Sequence, residues 1–249
     1  MISTAGYFTK KFEKDLKKFT KARYVLSLIN GTSALHLSII SLGIKNNEEI
    51  LLPSLTFVAT GNSILYNNSI PHFVDVNENL SIDFDRLETY LKKISVIKKN
   101  KCYNKKTNRF IRAIMPMHTF GHICDVEKMR KIAKKFKLLI IEDAAEALGS
   151  FYKKQHAGTF GNVGALSFNG NKILTTGMGG AILTNNKKIY EKVSKLRSHG
   201  INRSLQLQKK HGPWYYAIDE LGYNYRLTDI QSALGINQLK KLDKFISYR

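Results

Sequence analysis

The residue types best suited to chemistry lie in a few short segments, and the first is centred on a lysine. Lys172 follows a short apolar run, and hydroxyl, amide and glycine residues surround it from Ser167 to Gly180. An ε-amine that can lose its proton attacks carbonyl carbons, and glycines let a backbone approach a bound ligand closely. An ordinary surface lysine is the alternative, since the chain is rich in lysine. The glycine-rich context favours the chemical role.

A carboxylate follows another apolar run. Asp143 ends the run that begins at Leu138, and a carboxylate at the end of a buried strand must be paired or solvated. It could pair with the protonated nitrogen of a pyridine ring, or it could cap the turn that follows. From this residue alone, both alternatives stay open.

A third segment, Gly31-Thr32-Ser33, lies between a predicted strand and a predicted helix. Free N–H groups at a helix start attract phosphate, although simple capping by Asn30 or Thr32 is the alternative. A lysine for a Schiff base, an aspartate for a pyridinium nitrogen and a phosphate-binding turn are together the parts of a pyridoxal phosphate (PLP) site. Phe57 could stack on the cofactor ring, or it could be a core aromatic.

The elements that position these residues alternate between short strands and helices. The predicted strands are Tyr24–Ile29, Glu49–Leu52, Pro71–Val76, Ile111–Met115, Leu138–Ile141, Ala165–Phe168 and Gly180–Thr184. The predicted helices are Thr9–Thr20, Thr32 or Ser33 to Leu42, Phe57–Tyr66, Asp83–Lys92, Val126–Phe136, Lys187–Leu196 and a long final helix, Thr228–Ile246. Ser95–Arg109 is rich in Lys and Asn without periodicity, which predicts a surface loop or insertion.

This alternation predicts an α/β fold with a mostly parallel sheet sandwiched by helices. Ligands of such sheets bind at the carboxyl ends of the strands. Gly31, Asp143 and Lys172 all lie at or just beyond predicted strand ends, so we expect them to share one site.

The composition limits the classes of partner. The chain has 249 residues, enough for one domain, and a net charge of +21. Two interpretations of this charge compete: a surface that binds nucleic acid or membrane, and a solvated surface rich in lysine. The basic runs are scattered, dominated by lysine and joined by no nucleic-acid motif, which favours the solvated surface.

The most apolar stretch, Val25–Leu42, is interrupted by polar residues and does not predict a membrane span. Cys102 and Cys124 predict free thiols in a reducing cytoplasm, and the dispersed histidines predict no metal site.

Several segments together resemble the DegT/DnrJ/StrS family of sugar aminotransferases, within the fold-type I superfamily of aspartate aminotransferase. The similar segments are Asn30–Leu37, Pro53–Thr60, Pro116–Gly121, Glu142–Gly149, Gly158–Gly180 and Gly222–Leu234. Within the family, three of the motifs look most like the LegC-type branch, which serves legionaminic acid and related amino-sugar pathways.

The resemblance implies a role for each matched residue. Lys172 would form the Schiff base and shuttle protons, Asp143 would pair with the pyridine nitrogen, and Glu146 would lie near the phenolic oxygen of the cofactor. The remaining cofactor contacts would be Gly31, Thr32, Ser33 and Ser167 at the phosphate, Phe57 on the ring, and Asn224 at the phosphate of the neighbouring subunit in a homodimer.

The implied activity is transfer of an amino group from an amino-acid donor, glutamate, to a nucleotide-linked keto-sugar. Residues 1–249 would be the PLP-binding large domain, without the small C-terminal domain of the family. A sugar dehydratase of the same fold would also match, but such dehydratases carry histidine in place of the Schiff-base lysine. Outside these two reactions, the chain could be a non-catalytic fragment that needs a partner chain, or a basic nucleic-acid-binding protein.

Overall fold

The structure is a computed structural model that describes residues 6–202, 209–210, 212 and 214–248. Its strands are β1 (Tyr24–Leu28), β2 (Glu49–Pro53), β3 (Ile70–Val74), β4 (Ser95–Lys98), β5 (Lys101–Asn104), β6 (Ile111–Ile114), β7 (Leu139–Asp143), β8 (Phe151–Tyr152), β9 (Gln155–His156), β10 (Val163–Ser167), β11 (Gly180–Thr184), β12 (Ile201–Asn202) and β13 (Ala217–Ile218). Its α-helices are α1 (Tyr7–Thr20), α2 (Gly31–Ser41), α3 (Val58–Tyr66), α4 (Phe84–Ile94), α5 (Val126–Phe136), α6 (Lys187–Leu196), α7 (Asp229–Leu239) and α8 (Leu242–Tyr248).

Seven strands form the central sheet in the order β1, β11, β10, β7, β6, β2, β3. Strand β11 runs antiparallel to both of its neighbours, β1 and β10, and every other pair in this sheet is parallel. The carboxyl ends of β1, β10 and β7 therefore lie at one edge of the sheet, together with the first residue of β11. The prediction of a mostly parallel α/β sheet is confirmed.

Helices cover both faces of this sheet. Alternate residues of each strand point to opposite faces, so a strand can pack against helices on both sides. In β2, Ile50 and Leu52 pack into one apolar cluster with α2 and α6. Leu51, between them, packs into a second cluster with α1, α4 and α5. Every residue of β2 is buried, as expected for a strand with helices on both sides.

Polar side chains fix where several helices begin. Asp83, Asp125 and Asn186 cap α4, α5 and α6, each accepting a hydrogen bond from a backbone N–H of the first turn. Helix α7 begins with a capping box between Thr228 and Gln231.

Two predictions about elements were wrong. Ser95–Arg109 contains the hairpin β4–β5, in which Cys102 is fully buried. The carboxylate of Glu49 stabilises the end of this hairpin and the turn that follows it. It accepts hydrogen bonds from Asn104 Nδ2 at 3.0 Å and from Thr107 Oγ1 at 2.6 Å. The final helix is two helices, because α7 ends at Leu239 and α8 begins at Leu242.

Candidate active site

The candidate site lies where the ends of β1, β10 and β7 meet. Gly31 opens α2 directly after β1, and Ser167 is the last residue of β10. A β-carbon on Gly31 would lie 2.9 Å from the Cβ of Ser167, closer than side-chain atoms approach one another. Glycine at this position therefore lets the start of α2 pack against the end of β10.

Asp143 is the last residue of β7, and it is 3% exposed. Its Oδ2 accepts a hydrogen bond from Thr60 Oγ1 at 2.7 Å, and its Oδ1 accepts one from the backbone N–H of Ala145 at 3.2 Å. Burial raises the pKa of Asp143, although these two donors and nearby positive charge, including Lys172, oppose the increase. Residues 144–150 form turns rather than a helix, so Asp143 caps a turn and not a helix start.

The residue before Asp143 anchors this end of β7. Glu142 is fully buried, and its two carboxylate oxygens accept hydrogen bonds from the backbone N–H groups of Gly158 at 2.8 Å and Gly161 at 2.6 Å. His118 Nε2 lies 3.0 Å from the same carboxylate. Because the backbone N–H of Cys124 donates to Nδ1, the Nε2 atom carries the hydrogen and donates to Glu142. Glu142 thus connects β7 to two neighbouring loops.

Lys172 lies on the loop after β10 and points toward the turn after β7. Its Nζ lies 3.0 Å from Oε1 of Glu146, and both side chains are mostly shielded from solvent. The other oxygen, Oε2, accepts a hydrogen bond from the backbone N–H of Phe120 at 2.9 Å. One carboxylate therefore holds both the candidate nucleophile and a neighbouring turn.

A cavity of about 220 Å³ opens beside Lys172. Its lining residues come from three segments of the chain: Phe120, Ala145, Glu146, Leu148, Ser167, Asn171, Lys172 and Ile173. A lysine, a carboxylate and a serine hydroxyl thus face one cavity at the carboxyl edge of the sheet.

The start of α2 faces a second cavity, of about 460 Å³. Asn30 caps the helix, since its Oδ1 accepts a hydrogen bond from Ser33 N at 2.7 Å, so the capping interpretation holds for this residue. Thr32 and Ser33 line the cavity, and the side chain of Ser33 hydrogen-bonds Tyr225. His36 also lines it; burial lowers the pKa of this histidine, and its ring nitrogens have no hydrogen-bond partner among the described residues.

Two of the predicted site residues lie apart from these contacts. Phe57 precedes α3 and is 68% exposed, so it is not a core aromatic of the described chain. It belongs to a group of exposed apolar side chains on and beside α3: Leu55, Phe57, Val58, Leu65, Tyr66 and Phe73. Asn224 is exposed and forms an isolated β-bridge with Ser198.

Sequence reasoning missed two residues of the site. Thr60 binds Asp143. The available signal was a pair of hydroxyl residues four positions apart, Thr56 and Thr60, whose hydroxyls lie 2.7 Å apart in the structure. Phe120 lines the cavity in a left-handed backbone conformation, with φ 51° and ψ 25°. The following Gly121 marked a turn, but no local pattern showed that the turn reaches Lys172.

The described part of the chain shows neither a metal cluster nor a membrane span. No group of three or more His, Cys, Asp or Glu side chains there could hold a metal ion. No helix in residues 6–202, 209–210, 212 and 214–248 is long and apolar enough to cross a membrane.

Comparison with known proteins identifies the family. The sequence profile of the DegT/DnrJ/EryC1/StrS aminotransferase family matches residues 1–249. The chain belongs to this family. It is 39% identical to a GDP-perosamine synthase of Escherichia coli O157:H7 over 246 residues, which cover 99% of the chain and 61% of that enzyme.

Solved structures of sugar aminotransferases share the fold of this family member. Helicobacter pylori PseC, an aminotransferase involved in the biosynthesis of pseudoaminic acid, superposes with a TM-score of 0.82 at 30% identity, over 97% of this chain and 60% of PseC. The PLP form of the sugar aminotransferase Spr1654 of Streptococcus pneumoniae superposes with a TM-score of 0.80 at 26% identity, over 98% of this chain and 61% of that protein. The chain spans about 60% of the length of the curated relatives it matches.

Proposed function

We propose that residues 1–249 form the PLP-binding part of a nucleotide-sugar aminotransferase. The reaction would move an amino group from an amino acid, glutamate, to the keto carbon of a nucleotide-linked keto-sugar in amino-sugar biosynthesis. The observation that carries the proposal is the placement of buried Asp143, Lys172 and the start of α2 at one edge of the sheet. Family membership supports PLP as the cofactor.

The donor set fits this cofactor. Asp143 is a buried carboxylate whose ionisation is disfavoured, and a protonated pyridine nitrogen would supply the positive charge that it lacks. Each carboxylate oxygen has two lone pairs, so the bonds from Thr60 and Ala145 leave acceptor capacity free. The N-terminus of α2 at Gly31, with the hydroxyls of Thr32, Ser33 and Ser167, would hold the phosphate.

When bound, PLP supplies an electron sink for the carbon that gains or loses the amine. The chain's own contribution is to position groups and move protons. Asp143 would keep the ring nitrogen protonated. Lys172 Nζ would take a proton from the donor carbon and return one to the acceptor carbon, acting as general acid and base. Glu146 and Phe57 would lie beside the cofactor, at its phenolic oxygen and on its ring.

The substrate class is proposed from the relatives. A GDP-perosamine synthase and an aminotransferase of pseudoaminic acid biosynthesis are both similar to this chain. A net charge of +21 would also attract phosphorylated ligands over long range. The cytoplasm, where nucleotide sugars and reduced thiols occur together, is the proposed location.

Borohydride trapping with PLP, followed by peptide mass mapping, tests the cofactor site. The expected result is a reduced pyridoxyl adduct on Lys172 that is absent in Lys172→Ala and weakened in Asp143→Ala. Lys135→Ala is the matched control, because Lys135 also pairs with a glutamate, at 2.6 Å, but on the surface. Adducts spread evenly over surface lysines in a folded protein would contradict the proposal.

The proposed homodimer has its own test. If Asn224 reaches the phosphate of the neighbouring subunit, a Lys172→Ala subunit paired with an Asn224→Ala subunit contains one intact site. Mixing the two variants should then restore PLP affinity and trapping on Lys172 of the Asn224→Ala subunit. No restoration after verified subunit exchange would mean that each chain builds its site alone.

A sugar dehydratase of the same fold is less well supported. Dehydratases of this kind carry histidine at the Schiff-base position. This chain has a lysine there, Lys172, whose Nζ lies 3.0 Å from Oε1 of Glu146. Detection of an aminated sugar product, rather than a deoxygenated keto-sugar, separates the two reactions.

A further inference from the structure

The carboxylate of Glu146 is shared between two parts of the site that have no direct bond in the structure. Oε1 pairs with Lys172 Nζ at 3.0 Å, and Oε2 accepts from Phe120 N at 2.9 Å. Both bonds are charge-assisted, so the orientation of this one side chain depends on both partners.

The turn that carries Phe120 is fixed on both sides of this residue by other contacts. Thr119 Oγ1 donates to the backbone oxygen of Leu80 at 2.9 Å, and Ser150 Oγ donates to the backbone oxygen of Gly121 at 2.7 Å. The N–H of Phe120 is held by Glu146. Phe120 itself has a left-handed backbone, which is unfavourable for a residue with a β-carbon.

The Phe120 ring is not used for core packing. It is 74% exposed and lines the cavity beside Lys172. An exposed aromatic ring on a strained turn at the mouth of a cavity is well placed to contact a bound ligand.

We propose that Glu146 is a positioning residue that couples Phe120 to Lys172, so that the turn responds to whether the lysine amine is free. With the amine free, the ion pair fixes the carboxylate, which in turn holds the Phe120 N–H. When Nζ forms a C=N bond with a carbonyl carbon, whose oxygen leaves as water, the nitrogen keeps at most one N–H and no longer pairs with the carboxylate as an ammonium group. The hold of the carboxylate on Phe120 then weakens. The coupling with the amine free concerns the free protein alone, whereas its loss on reaction with a carbonyl carbon rests on the proposed function.

Hydrogen exchange at the Phe120 amide in the free protein tests the coupling. Glutamine has one acceptor oxygen and can satisfy only one of the two donors, so Glu146→Gln should exchange about tenfold faster at Phe120. Lys172→Met should give a similar increase, and Lys172→Arg, which keeps the cation, should not. The double variant Lys172→Met/Glu146→Gln should exchange no faster than either single variant.

Internal controls separate coupling from loosening of the fold. The His122 amide, bonded to the oxygen of Thr119 at 2.9 Å in the same turn, should keep its exchange rate in every variant. Lys135→Met, which breaks the surface pair with Glu88, should leave Phe120 unchanged. An unchanged Phe120 rate in Lys172→Met, or additive effects in the double variant, would overturn the proposal.

A second arm adds PLP to the wild type and measures exchange without borohydride, because reduction turns the C=N bond into a secondary amine that stays protonated. A separate sample is reduced to score trapping on Lys172. In the unreduced sample, Phe120 exchange should rise as in Lys172→Met, with no rise in Lys172→Arg. If trapping on Lys172 fails while the coupling in the free protein is present, the proposed function is wrong and the coupling stands. If trapping succeeds and Phe120 does not respond, the coupling to Lys172 is wrong.

Discussion

The hydroxyl of Thr60 donates a 2.7 Å hydrogen bond to Oδ2 of Asp143, joining α3 to the end of β7. Both residues are buried, and the bond connects positions 83 residues apart in the chain. It is the contact that fixes one oxygen of the carboxylate proposed to meet the pyridine nitrogen.

Removal of this hydroxyl should weaken both the fold and the cofactor site. Thr60→Val keeps the branched shape but leaves Asp143 with one donor fewer, which we expect to cost about 1–2 kcal/mol of unfolding free energy and about tenfold in PLP affinity. Urea unfolding and absorbance titration with PLP measure the two effects. Thr89→Val is the control, because Thr89 is also a helical threonine but its hydroxyl is exposed and bonds the backbone oxygen of Asp85 in its own helix. This change should affect neither quantity.

The raised pKa of Asp143 predicts that this residue destabilises the free protein at neutral pH. An acid whose pKa is higher in the folded state binds more protons there, so stability falls as pH rises from its ordinary pKa through the folded value. Asp143→Asn should therefore make the cofactor-free protein more stable at pH 7 and lose most PLP affinity. Its advantage should shrink as pH falls toward the ordinary pKa of aspartate. Urea unfolding over a pH series measures this.

Asp219 has a pKa shift of the opposite sign to that of Asp143. Hydrogen bonding to Lys195 and Asn202 lowers the pKa of Asp219, so its contribution is present above the ordinary pKa and is lost as pH falls through the folded value. Asp219→Asn should not stabilise the protein at pH 7. A stabilising effect there would mean that the loss of any carboxylate, and not burial, explains the Asp143 result.

Glu142 should be essential for the fold rather than for cofactor chemistry. Its oxygens accept from His118, Gly158 and Gly161, and glutamine could not accept all three. We expect Glu142→Gln to cost about 1–3 kcal/mol of unfolding free energy, because at least one buried N–H donor would lose its acceptor. Glu127→Gln breaks an exposed ion pair with Lys153 and should have no measurable effect on unfolding.

Two helical glycines should respond to alanine in opposite directions. At Gly31 the new β-carbon would crowd Ser167, so Gly31→Ala should cost about 1–3 kcal/mol and reduce PLP affinity. At Gly61, inside α3, a β-carbon would meet nothing within 4 Å, so Gly61→Ala should stabilise the protein by about 0.5–1 kcal/mol. Equal effects at both positions would contradict the close packing of α2 against β10.

The sequence predicted well what depends on local pattern. Alternating strands and helices gave the fold class, and strand ends located Gly31, Asp143 and Lys172 at one edge. It failed for β4–β5, because that short Lys- and Asn-rich hairpin has no apolar alternation and its end is stabilised by Glu49 from another strand. The break between α7 and α8 occurs at Lys240 and Lys241, with no glycine or proline to mark it.

The missed site contacts were all between distant segments. Thr60 meets Asp143, and Phe120 meets Glu146, only because separate segments of the chain meet at the same edge of the sheet. Residue types indicated which chemistry was available, whereas the side-chain partners of each group depended on the tertiary structure.

The antiparallel strand β11 constrains the order in which the chain can fold. Among the residues that the structure describes, strand β1 joins the central sheet only through β11, which follows it by about 150 residues. A growing chain on the ribosome must therefore hold β1 unpaired until β11 has emerged. Helix α1 waits longer, since Thr9 bonds Asp229 at the start of α7. The start of α2 therefore takes its place against β10 late in synthesis, and a ribosome that stalls before residue 180 would expose an apolar first strand to chaperones.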